Sequence, residues 1–488
     1  MQRSNRDTCR PAGAVVGFDT GRRPRARPGC PRTGSVTRVL AGLFLLGFAA
    51  RSHAAMREAS DARLAAKIDA YIRPFLEGDN FPGVILVARG DAILLSKAYG
   101  MANYELKVAN TPRSRFHLAS LTKMFTAAAV LLLEEQGKLS TFDTVSKFLS
   151  DYPNGDKIRL EHLLTHTAGV PNADFSEGEG RVRHTLEQLV AKFKDKPLDF
   201  EPGSRTRYSN SNYNLLAHII EKASGRSYGD FLKASIFDRL GMKSTLHDGD
   251  ASTLIEDRAS GTVPAGLHGM KNAPWVEWST KAGSGSLVST AEDLARFVRA
   301  EFGGTLLKSQ SLAKVMEKRP GFPYGWSQGE MFGRKQMAVG GRSPGFITAV
   351  QYYPEDETTI IALTNSYSSM AQDPVIGDIA AIVYGQPTKS GPVAPVKPRP
   401  GQFAGVAGRY QMPPNYYAPN SVLTLEDRGD YVEARWENGE VNVIYPVSAE
   451  ECLDRMYWAR LRFQRDATGK VTGFAYHLVQ DFNARKLD

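Results

Sequence analysis

Ser120 and Lys123 stand three residues apart at the front of SLTKMFTAAAVLLLEEQ, the most apolar helix-forming stretch after residue 55. A serine hydroxyl is a weak nucleophile at neutral pH and needs a neighbour to take its proton. Three residues make about one helical turn, so Lys123 shares a face with Ser120. A helix N-terminus adds unpaired N–H groups and about half a positive charge. Those groups stabilise an oxyanion, and the same field favours a neutral amine. The bland alternative is an N-cap serine beside a solvated lysine. A second S-x-x-K, Ser311-Leu-Ala-Lys314, sits in a polar stretch. A lysine inside an apolar helix needs a purpose, which favours Ser120 and Lys123 as nucleophile and partner.

Tyr208-Ser-Asn210 follows Pro202-Gly203 and precedes a helix start. A phenol beside an ammonium loses its proton more readily, so Tyr208 near Lys123 is expected to relay protons to and from Ser120. Asn210 offers a donor and an acceptor to a bound amide or ester. Tyr152-Pro-Asn154 repeats the pattern, so setting rather than spelling carries the weight.

Two other motifs fail on context. Gly341-Arg342-Ser343-Pro344-Gly345 spells a nucleophile elbow, which needs strand, turn, then helix. Here the alternating FITAVQYY follows, and the expectation is a turn between strands. His162 and His166 stand four apart, but HLLTH lacks the glutamate of HExxH. They are expected to be structural, and no metal or cofactor is implied.

The elements that must hold these residues are legible. Residues 57–77 have helical apolar spacing. Val84–Ala88 and Ala92–Ala98 form a hairpin across Arg89-Gly90-Asp91. Ser120–Gln136 is a helix buried on every side and stopped by Gly137. Tyr213–Ala223 is a helix ending before Gly225, and Thr290 opens another over 290–301. Phe346–Tyr353 and Thr358–Thr364 alternate as strands. From Gln386 to Pro400 five prolines mark a semi-rigid linker. Beyond it lie hairpins, centred on Asn438-Gly439 and on Thr468-Gly469.

At 42% apolar and 23% charged, 488 residues exclude a disordered, collagen-like or polytopic membrane chain and suit two domains. Residues 1–54 hold ten arginines against Asp7 and Asp19, a net +8 of the total +9, leaving +1 for the rest. The basic charge therefore does not point to nucleic acid. Val39–Ala50 is a twelve-residue apolar run between Arg38 and Arg51, with Ser52-x-Ala54 after it. That reads as a signal peptide with a long basic front, too short to span a bilayer. Export to the periplasm or outside the cell is expected, with no stable membrane span after cleavage. Cys452 is the one cysteine beyond the signal, so no internal disulfide is expected.

The order Ser120-x-x-Lys123, Tyr208-x-Asn210 and then Gly340-Gly341 resembles the serine β-lactamase and penicillin-binding fold. Its flanks most resemble class C β-lactamase-related hydrolases, which include esterases, D-aminopeptidases and carboxypeptidases. The strings are LLTHTAGVP (163–171), EPGSRTRYSNSNYNLLAHIIEKASGRSY (201–228), GSGSLVSTAEDLARF (283–297) and GRSPGF (341–346). The resemblance implies an α/β fold: an antiparallel sheet flanked by helices, with a helical subdomain, over 55–385. After the linker, 386–401, residues 402–488 are similar to lipocalin-like β-domains, a small all-β antiparallel unit. It further implies that Ser120 is acylated, that Lys123 and Tyr208 form its acid/base pair with either able to be the base, and that Asn210 contacts substrate. The N–H groups of Ser120 and Arg342, beside Gly340 and Gly341, would form the oxyanion hole. The implied substrate is a small molecule or peptide with an ester, amide or D-amino-acid bond.

One departure stands out. The family places Lys or His before the glycine pair, where this chain has Val339. Without that cation a substrate carboxylate loses its partner, so neutral short-chain esters are expected to be preferred over penicillins. The alternative is a non-catalytic or penicillin-binding envelope protein that lost turnover through Val339.

Overall fold

The computed structural model describes residues 59–76, 80–173, 175, 178–368, 374–389, 393–478 and 480–488. The basic front and its apolar run, read above as a signal peptide, lie outside the described residues. Six strands form the central sheet: β1 (Gly83–Arg89), β2 (Ala92–Tyr99), β3 (Ser327–Met331), β4 (Arg334–Ser343), β5 (Phe346–Tyr353) and β6 (Thr358–Thr364), in the spatial order β3-β4-β5-β6-β1-β2. Every neighbouring pair is antiparallel. Alternate residues of a strand face opposite ways, and here both faces are covered. Val84 and Leu86 enter one apolar core; Ile85 and Val87 enter another. That explains why β5 and β6 are buried along their whole length.

The second core is closed by helix α1 (residues 59–76), through Ile68, Ile72 and Phe75, and by the last helix of this part, Pro374–Val383. On the other face lies α2 (Thr122–Glu135), buried from Thr122 to Leu133. Its apolar circumference is matched by packing on every side, as an all-round hydrophobic helix requires. α3 (Asn210–Ser224) packs against it and ends at Gly225, whose φ of 72° caps the helix. α4 (Ala291–Phe302) begins at Thr290, whose side chain accepts from the Asp293 N–H. Ser343 ends β4, and Gly345, at φ 83°, turns the chain into β5. No helix follows, so Ser343 is buried in a hairpin and not at an elbow.

Residues 408–486 make a closed eight-stranded barrel: β7 (Gly408–Gln411), β8 (Val422–Asp427), β9 (Val432–Trp436), β10 (Val441–Pro446), β11 (Cys452–Asp454), β12 (Ala459–Arg465), β13 (Val471–His477) and β14 (Asp481–Lys486). β7 pairs with β14 to close it. The barrel is filled by its own side chains, leaving an internal cavity of about 10 Å³. It is a packed core rather than a ligand chamber.

Candidate active site

Ser120 does not sit on the α-helix proper. It lies in a 3₁₀ turn, Ala119–Leu121, immediately before α2. Ala119 has φ 49°, a left-handed conformation that costs a non-glycine residue about 1–3 kcal/mol. The turn is held from three sides. Leu118 N–H donates to Leu287 O at 2.8 Å, and Thr348 Oγ1 on β5 donates to Leu118 O at 2.8 Å. β4 passes so close that a Cβ on Gly341 would stand 2.4 Å from Leu118 O and 3.1 Å from Ser120 N. Glycine is required at 341 because backbone occupies the place of a side chain.

One turn on, Lys123 is 3% exposed. Its Nζ lies 3.0 Å from Ser120 Oγ, 2.9 Å from Asn210 Oδ1 and 2.8 Å from Ser284 O. No carboxylate pairs with it among the described residues, and burial pushes its pKa well below the ordinary lysine value. A neutral amine donates two hydrogen bonds and keeps one lone pair. Asn210 Oδ1 and Ser284 O take the two donors, which leaves the lone pair for the Ser120 hydroxyl. The Lys314 of the second S-x-x-K instead pairs with Glu134 at 2.7 Å.

Tyr208 OH lies 2.9 Å from Ser120 Oγ, and its ring lies 4.9 Å from Lys123 Nζ. Here the physics departs from the sequence expectation. Lys123 is itself driven toward the neutral form, so it does not draw the phenol's proton away. The ring walls the cleft and is 39% exposed, yet loss of solvent around it pushes the pKa up to about 12, with the Ser120 hydrogen bond pulling the other way. Tyr208 therefore keeps its proton at neutral pH. Asn210 is the first residue of α3, and its N–H donates to Asn172 Oδ1 at 2.8 Å. The structure thus brings Ser120, Lys123, Tyr208 and Asn210 together.

Several contributors were not legible in the sequence. His166, 2% exposed, packs tilted against the Tyr208 ring at 4.4 Å and accepts the Ser209 N–H at 3.2 Å. Burial, then the nearby Lys123, lower its pKa to about 3, so it is neutral. His162, in a separate short helix, accepts from Arg159 N–H. No metal-ligating group gathers around either histidine among the described residues. Ser284 is fixed by Asn214, which donates to Ala282 O and to Ser284 Oγ.

On β4, alternation puts Val339 and Gly341 on one face and Gly340 and Arg342 on the other. Val339 packs against the core that includes α2. Gly340 and Arg342 line the open cleft with Ser120, Tyr208 and Asn210. Val339 is half-buried there, and the side chain that β4 presents to the cleft is Arg342. The barrel supplies the far wall. The cleft, about 1060 Å³, is also lined by Tyr416, Trp436, Glu440 and Tyr457. Tyr416 and Trp436 stack at 5.7 Å, and the Arg342 guanidinium lies 5.8 Å from the Tyr367 ring and 5.4 Å from that of Tyr457. The Tyr457 hydroxyl donates to Glu440.

A family model described as Beta-lactamase matches residues 68–384. Penicillin-binding protein 4* of Bacillus subtilis (strain 168) is 31% identical over 337 residues, which span 64% of this chain and 74% of that protein. Among solved structures, the octameric penicillin-binding protein homologue from Pyrococcus abyssi aligns over 86% of this chain and 100% of its own, at 23% identity and TM-score 0.60. The D-amino acid amidase from Ochrobactrum anthropi SV3 aligns over 66% of this chain and 99% of its own, at 22% identity and TM-score 0.60. At such identities the two structures speak for the fold.

Proposed function

The chain belongs to the beta-lactamase family, and on that premise we propose that it is an exported serine hydrolase that works through an acyl-enzyme on Ser120. The observation that carries the proposal is the 3.0 Å approach of Ser120 Oγ to a buried lysine with no counter-ion among the described residues. Neutral Lys123 takes the hydroxyl proton as Ser120 Oγ bonds to the carbonyl carbon of an ester or amide. The carbonyl electron pair moves to oxygen, which the N–H groups of Ser120 and Arg342 receive. The tetrahedral adduct collapses, the bond to the leaving group breaks, and the Tyr208 hydroxyl supplies its proton. Lys123 then gives its proton to the Tyr208 oxygen, which restores both groups, and water repeats the sequence on the acyl-enzyme.

This divides the acid/base pair into Lys123 as base and Tyr208 as acid. An ester, an amide or a D-amino-acid bond all meet the chemistry. No helix among the described residues is long and apolar enough to cross a membrane. Export rests on the basic, apolar front of the sequence.

The test is covalent labelling with a fluorophosphonate, read by intact-protein mass spectrometry and peptide mapping. One adduct is expected, on Ser120 and absent from Ser120→Ala. A label on Ser343, or none, overturns the assignment. Release of the acyl group from a slow ester separates turnover from mere acylation and so decides against the non-catalytic reading.

A further inference from the structure

Two cavities meet at Ser120. The larger is lined partly by the barrel; the smaller, about 390 Å³, shares Ser120 but none of the barrel's residues. Ser120, Asn210 and Arg342 line both, but Tyr208 lines only the larger. On the mechanism above, the leaving group must reach Tyr208 and so occupies the barrel side. The acyl portion then falls in the smaller cavity.

Its lining among the described residues supplies cations and hydrogen-bond donors. Lys281 lines it together with Arg342, and no Asp or Glu does among the described residues. Lys281 ends the short 3₁₀ turn Trp278–Lys281, and its carbonyl accepts from Ser284 N–H at 2.9 Å and Gly285 N–H at 2.7 Å. The same turn therefore sets Ser284 O against Lys123 and sends Lys281 into the cavity. Its aliphatic stem passes over Gly285: a Cβ on that glycine would lie 3.6 Å from Lys281 Cδ. The Lys281 ammonium has no hydrogen bond or ion pair among the described residues, although the side chain is half-buried. Asn172, which also lines the cavity, commits its Oδ1 to Asn210 and Ser209, which leaves its amide N–H groups to donate. A half-buried cation with no counter-charge is costly. An anionic ligand removes that cost.

We propose that Lys281 is a specificity-determining residue that binds a carboxylate on the acyl portion of the substrate. The assignment of sides rests on the proposed acyl-enzyme chemistry; the anion site itself does not. The first measurement compares kcat/KM for p-nitrophenyl hemiglutarate and for p-nitrophenyl valerate, of equal acyl length, in the full chain. Wild type should favour the anionic ester. Lys281→Met should lower the ratio of the two by about tenfold or more, while Lys281→Arg keeps most of it. A ratio that Lys281→Met leaves unchanged overturns the proposal.

A second measurement needs no turnover. Calorimetric binding of glutarate to the Ser120→Ala protein should weaken about tenfold or more on adding Lys281→Met. Equal affinity overturns the proposal too, whatever the fate of the acyl-enzyme. Loss of fluorophosphonate labelling in wild type with glutarate binding intact would instead sink the hydrolase reading and leave the anion site standing.

Discussion

At the scale of single residues the site works through mismatched proton affinities. Burial lowers the pKa of Lys123 and lifts that of Tyr208 to about 12, so base and acid coexist in the right forms at neutral pH. Activity should fall on the acid side, as Lys123 gains its proton, and should show no loss from Tyr208 until the pH nears 12. A kcat/KM profile checks this; an alkaline limb well below 12 that vanishes in Tyr208→Phe would reassign the phenol as base. Lys123→Ala should cut kcat by a factor on the order of 10² or more. Tyr208→Phe should do so for amides and alkyl esters but far less for p-nitrophenyl esters, whose leaving group needs no proton. Equal losses on both would place Tyr208 elsewhere in the sequence of steps.

At the scale of elements, function depends on how closely β4 approaches the turn before α2. Gly341→Ala pushes a methyl group into Leu118 O and the Thr348 hydroxyl. Overpacking of this kind costs about 1–3 kcal/mol, and here the strain falls on the Ser120 turn. The expected result is a modest drop in Tm with a disproportionate loss of kcat. A drop in Tm with kcat preserved would show that the turn tolerates the shift. α4 carries a second constraint. Glu301 is fully buried, accepts from Trp326 Nε1 at 3.1 Å, and burial raises its pKa from 4.5 to about 8. The folded state therefore holds this proton more tightly than the unfolded chain. Its contribution to stability is complete below about 4.5 and is lost as pH rises through about 8. Thermal melts should show Tm falling above neutral pH, and Glu301→Gln should flatten that decline. An unchanged slope in the variant would assign the decline to other groups.

At the scale of the whole molecule, the barrel is a wall of the cleft as well as an appendage. Arg455, fully buried, is the pin. Its Nε donates to Asn80 Oδ1 at 2.9 Å, and its Nη1 donates to Gly266 O and Gly269 O, each at 3.0 Å. The proline-rich segment adheres as well: Val396 N–H donates to Pro446 O, and the Tyr445 hydroxyl to Val393 O. A buried acceptor left without its donor costs about 1–3 kcal/mol, so Arg455→Ala should loosen the barrel from the rest. Limited proteolysis within 386–401 should be slow in wild type and fast in Arg455→Ala, and KM for bulky leaving groups should rise in the variant. Rapid release of a folded barrel from wild type would mean that the two parts are independent modules joined by a tether.

Period and punctuation told most of the elements in advance. Apolar runs bounded by glycine marked α2 and α3, the alternation of FITAVQYY marked β5, and Asn438-Gly439 marked the β9–β10 hairpin, because local patterns express local backbone preferences. The S-x-x-K and Y-x-N spacings named four residues that the fold then linked in one hydrogen-bonded chain, Tyr208 to Ser120 to Lys123 to Asn210. Other features belong to contacts between segments distant in the chain. His166 behind Tyr208, Ser284 O on Lys123, Lys281 beside the serine and the barrel over the cleft carry no local signature. The direction of the Tyr208 shift went against expectation for the same reason: it depends on how much water the fold removes from both the phenol and the lysine, and burial is a sum over neighbours that only tertiary structure assembles. Val339 and Arg342 show the limit most sharply. On β4 they face opposite ways, and which of them lines the cleft was decided by what packs on each side of the sheet.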